Sequence, residues 1–173
     1  MAEKLLLKER VDGIDFADVI KTKEELGLME ETDWTAQPLT LRDDEVSLVE
    51  ADPEEREIFS HENDDPEDYE LIGQGITVVG SFIKASFEQL VEILGGSKDG
   101  TGTAARYLLP SKKLMLTKAI RFRLKSGAKI IIPCAKGSVQ FSANISANDG
   151  IVKYPFRFRP LAQPGFDAAL VIE

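Results

Sequence analysis

Side chains that carry most catalysis and metal binding are scarce in this sequence. Its 173 residues hold one cysteine, Cys134, and one histidine, His61. A lone cysteine excludes an internal disulfide, which suits folding in a reducing compartment. Two such residues fall short of the Cys and His set that a zinc site takes. A catalytic triad needs its base held by packed structure between a nucleophile and an orienting acid. His61 stands instead in an acidic stretch, so a solvated surface histidine is expected. Cys134 lies close to Ile130, Ile131 and Ile132 and reads as a buried, unreactive thiol.

Long apolar runs are missing as well. Leu5, Leu6 and Leu7 are followed at once by Lys8, Glu9 and Arg10, too short a run for a signal peptide or a bilayer span. The chain is therefore expected to be soluble when made and to have no membrane partner. Phosphate-binding loops are absent too. Gly73-Gln74-Gly75 lacks the third glycine of a dinucleotide fingerprint, and the loop from Gly95 to Thr103 lacks a Gly-Lys-Ser/Thr ending. The oxygen-rich run from Glu62 to Asp68 lacks the alternate spacing and central glycine of an EF-hand. No cofactor is expected. The length is that of about one domain, large enough to fold without a disulfide or metal.

What the chain does have is charge, unevenly placed. The net charge is −9. Residues 1–75 hold 24 acidic and 7 basic side chains, a net of −17, and residues 76–173 hold 6 acidic and 14 basic, a net of +8. A chain this acidic is a poor nucleic-acid binder, because phosphate binding is driven by basic side chains that release counterions. The split suggests a surface that repels polyanions and opposite faces that attract between copies. A solvated acidic region that aids solubility explains the same numbers.

Along the chain, residues 1–31 read as an N-terminal arm, with Thr22 and Glu25 as a capping pair for a short helix that Gly27 stops. Residues 32–173 read as a single β domain. Val46–Val49 is a strand that Asp52-Pro53 breaks. Residues 52–70 form an acidic loop, in which ten of 19 residues are Asp or Glu. Leu71–Ile83 returns to β character. The clearest helix follows, with Ser86 and Gln89 as a capping box and Phe87, Leu90, Val91 and Leu94 on one stripe, ended by Gly95-Gly96. Residues 97–103 read as a Gly-rich loop. An antiparallel meander comes next: Arg121, Arg123 and Lys125 alternate with Ile120, Phe122 and Leu124. Lys129–Cys134 forms a return strand with Pro133 at an edge or end. Val139, Phe141, Ala143 and Ile145 form a third strand, Asn148-Asp149-Gly150 a turn, and Lys153–Arg159 a last strand with Tyr154, Phe156 and Phe158 inward. The pattern predicts a mainly β fold, a sandwich or open barrel with one helix on its flank, each strand showing one face to the core and one to water. Basic strand positions near aromatics also fit a single-strand nucleic-acid platform, but arginines and aromatics alternate to opposite faces, so an outer basic face is preferred.

The order of these features carries a resemblance. Asp33-Trp34-Thr35 leads to the Val46–Val49 strand, then the acidic stretch from Pro53-Glu54-Glu55 to Tyr69, then the Phe87–Leu94 helix with its Gly95-Gly96 break. The chain closes on Tyr154-Pro155-Phe156-Arg157-Phe158-Arg159-Pro160-Leu161. This succession resembles a phage tail tube protein, the major tail protein of long-tailed phages, over most of the chain after about residue 30. The resemblance implies a β-sandwich or barrel whose copies form six-membered rings. Those rings stack into a tube that conducts DNA without specific binding. It further implies a virion (tail) location after synthesis in the host cytoplasm, and contacts with tail terminator, tape measure and baseplate proteins. An acidic lining fits a DNA-conducting bore, since repulsion reaches about 10 Å at moderate ionic strength. The candidate inter-subunit or lumen contacts are Glu54, Glu55, Asp64, Asp65, Glu67 and Asp68 on the acidic side and Arg121, Arg123 and Lys125 on the basic side. A structural subunit rather than an enzyme is expected. A soluble β binding module, another tail-ring protein such as a terminator, and a β-barrel enzyme built on a carboxylate pair stay open as alternatives.

Overall fold

Several of the strands form where apolar and polar residues alternate, and the α-helices of the described residues begin at side-chain caps. The structure, a computed structural model, describes residues 6, 8–146 and 148–173. Leu5 and Leu7 of the short apolar run lie outside the described residues, as do residues 1–4 of the expected arm. In chain order the elements are β1 (Val11–Ala17), α1 (Lys23–Leu28), β2 (Thr35–Ala36), β3 (Leu39–Thr40), β4 (Ser47–Glu50), β5 (Glu54–Phe59) and β6 (Pro66–Ile72). Then follow β7 (Ile76–Ile83), α2 (Phe87–Leu94), β8 (Ser97–Asp99), β9 (Arg106–Leu108), β10 (Leu116–Leu124), β11 (Lys129–Val139), β12 (Ser142–Ala143), β13 (Val152–Pro160) and β14 (Val171–Ile172).

The long strands join one antiparallel sheet in the order β2-β1-β10-β11-β13-β7-β3, with β4 added to β7, β12 to β13 and β14 to β11. The fold is therefore mainly β with a helix packed on it, as the alternation predicts. The sheet curls over on itself. Phe16 of β1 and Phe82 of β7 belong to opposite margins, yet their ring centroids are 6.3 Å apart. A short strap joins those margins. Within six residues the chain pairs first with β1 through β2 and then with β7 through β3. Gln37 N–H donates to the Ile14 carbonyl, and Leu41 N–H to the Ser81 carbonyl, both at 2.9 Å. The strap thus satisfies edge groups that an open sheet would leave bare.

Inside the curl, Ile14, Phe16, Val78, Phe82, Phe122 and Phe158 pack into one cluster, which Leu90, Ile93 and Leu94 of α2 complete. Ser86 caps α2 as predicted: its Oγ accepts from Gln89 N–H, and Gln89 Oε1 accepts from Ser86 N–H. Gly95, at φ 79°, ends the helix in a conformation that side chains resist. Phe87 is not part of the buried face; it stacks on Tyr107 instead.

Four expectations need correction. First, residues 11–17 are not an arm. β1 lies inside the sheet next to β10, and Ile14, Phe16 and Ala17 are buried. The 21–34 segment lies over the sheet, where Thr22 caps α1 as expected but the helix passes Gly27 and ends at Leu28. Second, the outer face of β10 and β11 is not left to water. Ile20 and Phe166 pack there on Ala119 and Ile131, with Trp34 and Met29 beside them. Third, Pro133 is neither edge nor end. It sits mid-strand at a register shift between β10 and β11, where its missing N–H costs no ladder bond, and its carbonyl accepts from Ile20 N–H at 3.0 Å. β11 consequently runs on to Val139, and the expected third strand shrinks to Ser142–Ala143. Fourth, the Gly-rich loop expected at 97–103 begins only after residue 99: Ser97–Asp99 is strand β8, paired with β9 in a hairpin whose connection holds the rest of that stretch.

The register defines two ends. Glu50 of β4 pairs with Ile76 of β7, and β5 and β6 lie between them in the chain. At the other end of β7, Phe82 pairs with Tyr154, and the Tyr154 ring meets Phe141 at 6.0 Å. α2 begins four residues after Ile83. The hairpin and the start of α2 therefore mark opposite ends of the body.

Candidate interaction surfaces

The acidic region is a β-hairpin, not a loop. Among the described residues β5 and β6 pair only with each other, and every residue of both strands is exposed. The alternation was hidden by the density of like charge, but the register manages that charge. Glu54 stands opposite Ile72, Glu55 opposite Leu71, Arg56 opposite Glu70, Glu57 opposite Tyr69 and Ile58 opposite Asp68. Like charges directly across a ladder repel, and in this register no acid faces an acid.

The tip is organised around one carboxylate. Ser60 Oγ donates to Glu67 Oε1 at 2.9 Å, and Asn63 Nδ2 to the same oxygen at 2.6 Å. Asn63 N–H donates to Ser60 Oγ at 3.2 Å. The hydrogen bonds from Asn63 and then Ser60 hold the Glu67 carboxyl below its usual range. Asp64 and Asp65 sit exposed in the turn, as does His61. One face of the hairpin carries Glu55 and Glu57 beside Phe59, Tyr69 and Leu71, which are 55%, 62% and 57% exposed. A two-stranded hairpin alone is marginal in water, and this one shows a row of apolar side chains to solvent between acids.

The predicted basic partners lie elsewhere and are occupied. Arg121 is 5% exposed. Its guanidinium meets Asp15 at 2.7 Å and grips both oxygens of Glu31 at 3.0 and 2.8 Å. It also lies 4.7 Å above the Trp34 ring. Arg123 binds Asp15 at 2.9 Å and approaches Asp12 at 3.7 Å. Lys129 adds a contact to Glu31 at 3.2 Å, and Arg121 followed by Lys129 lowers the Glu31 pKa. The acids of residues 12–31 thus neutralise the basic strand within one chain. Arg121 and Arg123 are not an open face for a neighbour; of the three expected residues, only Lys125 is exposed. Alternation located their face correctly. It gave no sign that Asp15 and Glu31, about a hundred residues earlier, would cover it.

Two sets of cations that sequence reasoning did not single out are exposed. Lys136 stands opposite Arg159 across the β11–β13 ladder, with Arg157 two residues away on the same face. Phe158 pairs with Val78, which places Arg159 near the root of the hairpin. Lys112 and Lys113 lie at the other end, on the rim of a groove of about 280 Å³ lined by Leu94, Leu109, Pro110 and Phe141. Leu109 and Phe141 are 55% and 52% exposed there.

Groups suited to chemistry are dispersed. Cys134 is buried, and loss of solvent pushes its thiol pKa up. Asp44 accepts from Lys153 at 2.7 Å and Ser81 at 2.6 Å, which lowers its pKa in that order of effect. Among the described residues, no three His, Cys, Asp or Glu side chains are gathered so as to hold a metal ion, and no helix is long and apolar enough to cross a membrane. Comparison with family models gives no match, and no curated protein matches the chain.

Proposed function

We propose that this chain is the structural subunit of a phage tail tube, forming stacked six-membered rings whose bore conducts DNA. The observation that carries the reading is the acidic hairpin. It stands off one end of a curled β body, exposed along both strands, with apolar side chains that have no cover among the described residues. Such an element is costly for a lone monomer and useful to a subunit that meets copies of itself. Its acids also suit the edge of a channel that must pass a polyanion without holding it. The six-membered ring itself rests on the resemblance in residue order described above.

The test is negative-stain electron microscopy of the purified chain across concentration and ionic strength, beside a variant with Asp64→Asn, Asp65→Asn, Glu67→Gln and Asp68→Asn. Rings or tubes from the unmodified chain, with altered assembly or axial spacing in the variant, are the expected result. A chain that never rises above the monomer sinks the reading. Unchanged tubes and spacing in the variant remove the hairpin's assigned part in it.

A further inference from the structure

We propose that the groove between α2 and the end of β11 receives the β5–β6 hairpin of a second copy. The inference rests on the tube reading for its biological setting, but its geometry comes from the surfaces themselves. The hairpin offers an apolar row, Phe59, Tyr69 and Leu71, between acids. Residues 52–72 hold ten acids and a single arginine. A receptor for it must combine apolar surface with free positive charge.

The groove meets that requirement. Leu109 and Phe141 expose apolar surface on its walls, and Lys112 and Lys113 stand on its rim with no ion pair or side-chain hydrogen bond among the described residues. The other cations named above fit less well: the exposed Lys125 lines a cavity shared with the acids Glu9, Asp44 and Glu45. Arg121 and Arg123 are paired within the chain. Lys136 and Arg159 lie near the hairpin's own root, at the end from which the hairpin departs.

Position then decides the mode of association. The hairpin and the groove lie at opposite ends of β7, as the pairing of Glu50 with Ile76 and of Tyr154 with Phe82 requires. One copy's hairpin in another's groove is a head-to-tail contact between two different surfaces. Such a contact does not close by two-fold symmetry, and placed at opposite ends of the body it builds an open stack wherever its rotation does not close into a ring. Apolar side chains supply the seat, and the lysines set register and partner choice, since rim charges act chiefly on specificity and rate.

A charge swap tests this in the full chain. Sedimentation velocity reads self-association, with circular dichroism and thermal melting as checks that each variant folds. Lys112→Glu with Lys113→Glu, and separately Glu55→Lys with Glu57→Lys, should each weaken self-association by roughly ten- to hundredfold, because like charges then face each other. One chain carrying all four changes should recover it. The milder pair Lys112→Gln and Lys113→Gln should lie between, and serves if the reversals unfold the chain. Self-association untouched by the lysine changes overturns the groove assignment while leaving a tube intact. Loss in both reversals without recovery in the swap overturns the direct pairing. The swap pattern in assemblies that lack six-membered rings upholds the groove and overturns the tube reading. A chain monomeric at every concentration overturns both.

Discussion

The body and the hairpin use the same acidic residue types to opposite ends. In the body, the acids that reach across the sheet are matched within the chain: Asp15 to Arg121 and Arg123, Glu31 to Arg121 and Lys129, Asp44 to Lys153. In the hairpin, Glu55, Glu57, Asp64, Asp65 and Asp68 meet no cation among the described residues. Charge in the body holds distant segments together across the sheet. In the hairpin, Glu67 orders the tip through Ser60 and Asn63, while Glu55, Glu57, Asp64 and Asp65 accept no side-chain hydrogen bond and form no ion pair among the described residues. On the proposed reading, those exposed acids serve a contact outside the single chain.

Core truncations should separate the two regions most sharply. Phe82→Ala empties a site with no exposed surface and should cost about 3–5 kcal/mol, as large-to-small core changes do. Phe59→Ala, on the hairpin, should leave the denaturant midpoint within the scatter of a surface change, about 0.5 kcal/mol. Equal losses at the two positions would make the hairpin part of the cooperative core and end the contrast.

Breaking the buried ion pair comes next. Asp15→Ala leaves Arg121 at 5% exposure with the exposed Glu31 as its sole ion-pair partner among the described residues, and losing one member of a buried pair costs about 3 kcal/mol. The same measurement on Asp64→Asn, Asp65→Asn and Asp68→Asn together should show little change, or a slight gain from relieved repulsion. Smaller again is Ser86→Ala, which removes the α2 cap and should cost about 1 kcal/mol.

The sequence made local features legible and left distant ones hidden. The Ser86–Gln89 box and the Gly95 stop are adjacent in the chain, so the helix and its limits could be read directly. The inward set Tyr154, Phe156 and Phe158 followed from alternation alone. Pro133 misled because its exclusion from central strands has an exception at bulges, and bulges come from register, which no single strand declares. The arm misled for a related reason. Val11–Ala17 mixes Asp12, Gly13 and Asp15 with its apolar residues, so its strand character depends on Arg121 and Arg123 lying opposite. The basic face could be placed but not its occupancy, because the acids that cover it are remote in sequence. The hairpin was legible as charge and not as structure, since its pairing sets acids against apolar residues rather than against a visible partner pattern.

The finest comparison sets two carboxylates whose pKa values move the same way. Glu31 and Glu67 are both lowered from the ordinary glutamate value of 4.5, Glu31 by Arg121 and Lys129 and Glu67 by Asn63 and Ser60. A lowered folded-state pKa means the carboxylate contributes stability above the ordinary value, and that contribution is lost as pH falls through the folded-state one. The two should differ in what feels the loss. Glu31 ties the 21–34 segment to the central strands, so acidification should lower the melting temperature of the whole chain, and Glu31→Gln should flatten that acid limb. Glu67 orders only the turn at residues 60–67. Glu67→Gln should leave the melting temperature where it is at every pH and speed amide exchange at Asn63, whose N–H bonds Ser60 Oγ, without changing exchange in the body. A Glu67→Gln chain that melts early at neutral pH would show that the hairpin tip reports on the global fold, and body and hairpin would then be one unit rather than a scaffold and its projecting contact.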